Sequence, residues 1–346
     1  MTRNLKIAIL LSLLMSFFLL STTAFAAREF VFSGWGGAAE KAQIERMAKP
    51  FEQATGIRAI FTSYPDFAKV KAMVETKNVE WDVVDFEEKM MYRAVKEGLL
   101  EPMDYSLVDT KNIVTEAMNP FGMANSFWAG VLAYSKTKFP GDSGPKSWAD
   151  FWDVKKFPGA RALFKNPFGT LEIALLADGV PKNKLYPLDV DRAFKSLDRI
   201  KPHISVWWEK GAQPPQLLTD KEVDLCYAYS GRISAIQKER VPVEFIWNDA
   251  LLNLEFWVIP RGAKNKKEGM QYIAFVNNSP NIQATFAMDL PYGPTNKKAW
   301  ELIDPKFLKD IAGNPALSDK MVIISGKWWA ENEEKVLNRW NEWILK

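Results

Sequence analysis

The sequence predicts an α/β fold of two lobes, each a mostly parallel sheet flanked by helices, with a ligand cleft between them. Three observations carry this expectation. Apolar runs of strand length alternate with segments whose apolar residues recur at helical spacing. The chain has 346 residues, a length that divides naturally into two units. Near residue 130 an apolar strand interrupts the alternation and is expected to carry the chain into a second lobe.

The first 26 residues are expected to stand apart from the fold. "MTRNLK" is a small basic segment, "IAILLSLLMSFFLL" is uncharged and apolar, and "STTAFA" ends in small residues at Ala24 and Ala26. That is the pattern of a cleavable secretory signal, with a cut before Ala27. The apolar run is short for a membrane span of about 20 residues. No Cys adjoins the cut and no Arg pair precedes the apolar run, so a soluble, periplasmic chain exported unfolded is expected.

After the signal, "EFVFSGW" reads as a strand, and the helix after it carries Ile44, Met47, Ala48 and Phe51 on one face, ending at Gly56. "IRAIFTSY" and "WDVVDF" are the next strands. Between and beyond them lie helices marked by Phe67, Val70 and Val74, then by Met91, Ala94 and Val95. This β-α-β-α-β-α order implies parallel strands covered on both faces. "AGVLAYS" is the crossing strand. Ser147 caps a short helix, with Asp150 as its capping-box partner. Strand "ARALF", helices "TLEIALLADG" and "DVDRAFKSLDRI", strand "VDLCYAY", helix "GRISAIQKE" and strand "VEFIWN" follow. "LEFWVIP" is a separate return strand, and "KEGMQYIAFVNN" and "PNIQATFAMDL" are helices that rejoin the first lobe. "KWWAENEEKVLNRWNEWILK" is a final amphipathic helix. The expected division is 27–131 with 257–302 for the first lobe, and 132–256 with 303–346 for the second.

Composition narrows the function. The net charge of +3 falls to about +1 without Arg3 and Lys6, which argues against a nucleic-acid partner. The single cysteine, Cys226, lies in an apolar strand and reads as core. One cysteine and one histidine cannot build a conventional zinc site, so no metal is expected. "GDSGP", Gly141 to Pro145, resembles a serine-protease loop, but His203 is the only possible base and sits at a helix-to-strand turn. Gly34, Gly36 and Ala39 make the G-x-G-x-x-A spacing of a dinucleotide-binding turn. Its acid about 20 residues on is missing, since Asp66 falls later and beyond a proline. Neither catalysis nor a cofactor is expected. The 14 tryptophans and 22 phenylalanines exceed what a cleft needs, so most are core, with several left for binding.

Six segments in order resemble the periplasmic solute-binding proteins of ABC importers, in the branch of the spermidine/putrescine binders. These are "FSGWGGAAEKAQIERMAKPFEQATGIRA", "WDVVDFEEKMMYRAVKEGLLEPMD", "SWADFWDVKKFPG", "VDLCYAYSGRI", "LEFWVIPRGAKNKKEGMQYIAFV" and "PYGPTN". The resemblance covers nearly all of the chain beyond the signal. It implies the type II periplasmic binding protein fold, hinge closure on a small solute, delivery to a membrane permease, and a monomer.

It also implies a site. Trp35 falls where the polyamine binders stack an aromatic on the ligand, and a cation over an indole gains roughly 0.5–2 kcal/mol. Tyr292 and Tyr229 take the second and third aromatic positions, and Glu255 the acid that pairs with an ammonium. Glu87 and Asp249 are possible further contacts. The chain departs from the branch at "FKNPFGTLE", where Lys165, Asn166 and Thr170 replace acids and only Glu172 is near. Asn253 replaces an aromatic, and Arg232 replaces a small residue. An arginine fork suits a carboxylate, with Arg161 as a second candidate. An aromatic box, one acid and one arginine point to a zwitterion such as 4-aminobutyrate. The alternatives are a putrescine or spermidine binder, an exported NAD(P)-dependent oxidoreductase, and a chemoreceptor-coupled sensor of the same fold.

Overall fold

A computed structural model describes residues 28–346; the expected signal segment, 1–26, lies outside the described residues. The first strand, β1 (Glu29–Gly34), buries Phe30 and Phe32 and pairs in parallel with β2 (Arg58–Ser63) and β3 (Val83–Glu87). Helix α1 spans 37–55, with a π-helical turn over Ile44–Ala48 and a left-handed Gly56 at its end. Met47, Ala48 and Phe51 face the core as their spacing predicts. Helices α2 (Phe67–Glu75) and α3 (Glu88–Lys96) complete the predicted β-α-β-α-β-α order.

Two long strands then join the lobes. β4 (Gly122–Ser135) pairs antiparallel with β8 (Val243–Val258) along nearly its whole length. The intervening chain holds α4 (Trp148–Trp152), β5 (Arg161–Phe164), α5 (Pro167–Ala177), α6 (Val190–Ile200), β6 (Ile204–Trp208), α7 (Gln213–Thr219), β7 (Leu225–Tyr229) and α8 (Ser230–Lys238). The strand order is β2-β1-β3-β8-β4-β7-β5-β6. β3 pairs with one end of β8 and β7 with the opposite end of β4. The two lobes therefore share a ribbon of two strands.

The separate strands expected at "VEFIWN" and "LEFWVIP" are one strand. The "NDA" between them reads as a turn, but the ribbon absorbs it as an irregularity opposite Gly130–Leu132, with Asp249 at φ 58°. The polar groups there find partners outside the ladder: the Trp148 indole donates to the Asp249 carbonyl at 3.0 Å, and Asn248 Nδ2 to the Lys146 carbonyl at 3.1 Å. Ser147 caps α4 as expected, whereas the Asp150 carboxylate accepts from Lys146 N–H, one residue before the cap.

After β8 come α9 (Lys266–Asn278) and α10 (Pro280–Asp289), then β9 (Met321–Ile323) beside β8, and α11 (Gly326–Leu345). The last helix touches both halves. Its Trp340 packs on Phe194 and Trp207, while Gly326 N–H donates to Glu88 of α3 at 3.0 Å. Cys226 is fully buried in β7, a core position as predicted.

The ribbon needs a glycine at its centre. A Cβ on Gly130 would overlap the ring and hydroxyl of Tyr227 on β7. Gly130→Ala is expected to cost about 1–3 kcal/mol and to lower the thermal midpoint by several degrees. An unchanged midpoint would contradict this packing.

Candidate functional site

The strands of both sheets end at one place. β3 finishes with half-buried Glu87 and β7 with half-buried Tyr229, each after a fully buried run. In open α/β sheets, ligands collect beyond such carboxyl ends. Trp35 follows β1 directly, and Gly36 and Gly37 at φ 72° and 63° turn the chain sharply into α1. The Trp35 indole N–H donates to Glu255 Oε2 at 3.2 Å. The turn therefore presents an aromatic to a carboxylate. The acid that a dinucleotide reading would need is engaged as well: Asp66 caps α2 by accepting from Lys69 N–H at 2.9 Å.

Glu255 lies on β8, paired with Glu87 on β3 and Ser126 on β4. It is 9 % exposed. Burial pushes its carboxyl well above the usual range, and the nearby charges of Asp85 and Glu87 push it further, against the favourable Trp35 and Trp128 indoles. Asp85, 2 % exposed, is raised to about 7 by burial, although Gln43 Nε2 donates to it at 3.1 Å.

The aromatic wall comes from the other side of the ribbon. Tyr229 stands edge-on to Trp128 at 5.2 Å and to Trp208 at 5.6 Å. Tyr292 packs over Gly231, where a Cβ would come within 3.1 Å of its ring. Arg232, exposed in the first turn of α8, shares the Gly211 contact with Tyr229: a Cβ on Gly211 would lie 2.7 Å from the tyrosine ring and 3.1 Å from the guanidinium. The Tyr292 hydroxyl is raised to about 12 by burial and by Glu255, with Arg232 opposing. Tyr229 is raised by burial and by Glu87, and also feels Tyr292, Arg232 and Glu255. Trp35, Glu87, Tyr229, Arg232, Glu255 and Tyr292 thus lie near one another, joined by the Trp35–Glu255 hydrogen bond, the Glu87–Glu255 register and the charges that Tyr229 and Tyr292 feel.

The remaining candidates are engaged elsewhere. Asn253 is buried beside Trp128 in register and donates back to the Leu251 carbonyl of its own strand at 3.3 Å. Arg161 is buried at the start of β5, donates to the Phe157 carbonyl and stacks near Phe151, so it cannot reach a ligand carboxylate. Asp249 sits in the ribbon irregularity 3.7 Å from Lys182. Lys165 pairs with Glu209 at 2.7 Å and Asn166 caps α5. Glu172 is fully buried and accepts from the Tyr186 hydroxyl and the Trp329 indole, both at 2.6 Å, which ties α5 to α11. The sequence reading missed Trp128, Trp208, Gly211 and Asp85; of these only Asp85, an acid inside the apolar run "DVVDF", carried a visible signal.

At the rim, Lys89 bridges Glu333 of α11 at 2.7 Å and Glu87 at 3.7 Å, with its ammonium 4.7 Å from the Phe168 ring centre. Glu88 beside it accepts from Gly326 N–H, and burial raises it to about 7. A cavity of about 600 Å³ lies between Lys238, Trp247, Met288 and Phe307, with Pro291 in its lining.

Comparison with known proteins identifies the family of the chain. Residues 46–316 match the family model described as bacterial extracellular solute-binding protein. The chain is 39% identical over 319 residues to the gamma-aminobutyric acid-binding protein of Pseudomonas aeruginosa, covering 90% of each. It is similar to the structure of an ABC transporter substrate-binding protein from Bradyrhizobium japonicum, with 40% identity and a TM-score of 0.88 over 91% of this chain and 99% of that one. The Atu4243–GABA receptor structure matches with 36% identity and a TM-score of 0.84 over 92% and 98%.

Glu88 supplies a pH test. Its folded pKa is raised, so the stability it contributes is full below its ordinary pKa and is lost as pH rises through about 7. Glu88→Gln does not titrate. Relative to the parent protein, its thermal midpoint should rise as pH goes from 5 to 8.5. A pH-independent difference would contradict the burial of this carboxyl.

Proposed function

The chain belongs to the bacterial extracellular solute-binding protein family, and on that premise we propose that it captures 4-aminobutyrate or a close ω-amino acid for an ABC importer. The observation that carries this is a buried Glu255 held by the Trp35 indole and an exposed Arg232 beside Tyr229, with Tyr292 feeling the charges of both. The ligand ammonium takes Glu255 and the faces of Trp35 and Tyr292; the carboxylate takes the Arg232 fork, where charge-assisted paired bonds are strongest. Glu87 lies at the rim, and Asn253 shapes the floor beside Trp128. The relatives named for gamma-aminobutyric acid support the same ligand class.

The action is capture and release without chemistry or cofactor. The lobes, 27–131 with 257–302 and 132–256 with 303–346, turn about the β4–β8 ribbon, and ligand favours the closed form by binding it more tightly. The protein acts in the periplasm after removal of residues 1–26, as a monomer without nucleic acid. Its closed form docks on the permease of the importer.

Thermal shift on refolded, ligand-free protein tests the ligand class. Ligand at 100 times its dissociation constant adds about 2.7 kcal/mol, a shift of several degrees. A shift with 4-aminobutyrate and 5-aminovalerate, and none with putrescine or spermidine, is the expected pattern. Diamines alone shifting the protein would overturn the zwitterion reading in favour of a polyamine.

Calorimetric titration of Arg232→Ala tests the carboxylate end. Loss of a charged hydrogen-bond partner costs about 1.5–3 kcal/mol, so 4-aminobutyrate should bind about tenfold to 150-fold more weakly. An unchanged affinity would place the carboxylate elsewhere.

A further inference from the structure

Behind Glu255 lies a second acid that the binding scheme leaves unused. Asp85 and Glu87 alternate along β3 to the same face, and the register sets Glu87 opposite Glu255 and Asp85 opposite Trp257. Asp85 and Glu255 are therefore diagonal neighbours on one face, at about 7–8 Å between backbones and closer between side chains. Asp85 Oδ1 is buried and has no hydrogen-bond partner. Its other oxygen accepts only from Gln43 Nε2.

Among the described residues, no cation is hydrogen-bonded or ion-paired to Asp85 or Glu255. From α1 comes neutral Gln43, and from the following strand the Trp257 indole, which makes no well-aligned bond. From β4 come Asn125, whose Nδ2 donates to the Glu255 backbone carbonyl at 3.3 Å, and Ser126, which donates to Asn125. From α9 comes Tyr272, buried, with an unpartnered hydroxyl, its ring stacked on Trp257. The nearest cations are Lys89, committed to Glu87 and Glu333, and Arg232, beside Tyr229 and Tyr292. Two ionised carboxylates in such a space repel strongly, because the low dielectric hardly screens them.

We propose that Asp85 is the counter-acid of the amine subsite, sharing one proton with Glu255 in the empty protein and losing it to solvent when a ligand ammonium arrives. This rests on the ammonium reading of Glu255 given above. The balance is simple. The empty pair carries one proton and one negative charge. The loaded pair carries two negative charges and the ligand's one positive charge, and the ligand ammonium keeps its own proton. Net charge in the buried site is minus one before and after binding, so the ligand replaces the proton without adding a further unpaired charge. Asp85 would then select amines over neutral solutes without touching them, since only a cation can replace the proton. Its raised carboxyl places the exchange near neutral pH.

Two measurements test the exchange. Carboxyl ¹³C NMR of ligand-free protein should show the Asp85–Glu255 pair holding one proton at pH 6. Calorimetry with 4-aminobutyrate in two buffers of different ionisation enthalpy should show up to one proton released. Affinity should rise by as much as tenfold per pH unit between pH 6 and 7, levelling above the pair's own titration. Asp85→Asn should flatten that rise to less than about twofold and abolish the proton release, which a merely structural role would not do. A pair fully ionised in the empty protein at pH 6, or a proton retained on binding, would overturn the proposal. Absence of any binding heat would instead sink the ligand reading, and the ligand-free titration would still decide the shared proton.

Discussion

A carboxylate buried without a cation, on the strand common to both lobes, is the constraint around which the cleft is organised. Glu255 cannot be solvated, so it draws the Trp35 indole across from the end of β1. The glycines after Trp35 are required for that placement, because their positive φ angles turn the chain into α1 with the indole left in the cleft. On the far side, the absence of side chains at Gly211 and Gly231 lets Tyr229, Arg232 and Tyr292 close up. The site is thus charged on both flanks and aromatic between them, which fits an extended zwitterion better than a compact or neutral solute.

The fold joins the two flanks of this arrangement through one ribbon. The parallel strands on either side, β2-β1-β3 and β7-β5-β6, are joined into one sheet by the antiparallel β4–β8 ribbon. Its irregularity near Asp249 lies close to the middle of β8, where the ladder is already interrupted. The α3–α11 contact, through Glu88, Lys89 and Glu333, lies beside Glu87 at the rim. Ligand at the acids and the approach of the two halves therefore act on neighbouring residues.

Most of the architecture was legible in the sequence because it follows from periodicity: strand-length apolar runs, helical spacing, Gly56 as a stop and Ser147 as a cap. What misled was local polarity. "NDA" reads as a turn since only tertiary pairing can hold it in a strand, and Arg161 reads as a ligand since its backbone partner at Phe157 is invisible in one dimension. Around Glu255, Trp35, Tyr229 and Tyr292 were reachable through resemblance to a known family, residue by residue, and Arg232 as a departure from its branch. Trp128 and Gly211 were not, because an aromatic before an apolar strand and a glycine in a loop look the same whether they face core or cleft.

The most direct measurement of the central claim is a crystal structure of the protein grown with 4-aminobutyrate. The account predicts the ligand between the lobes, its ammonium against Glu255 and Trp35 and its carboxylate in the fork of Arg232. A ligand lying in the reverse direction, or an Arg232 left in solvent while the carboxylate finds other donors, would contradict it.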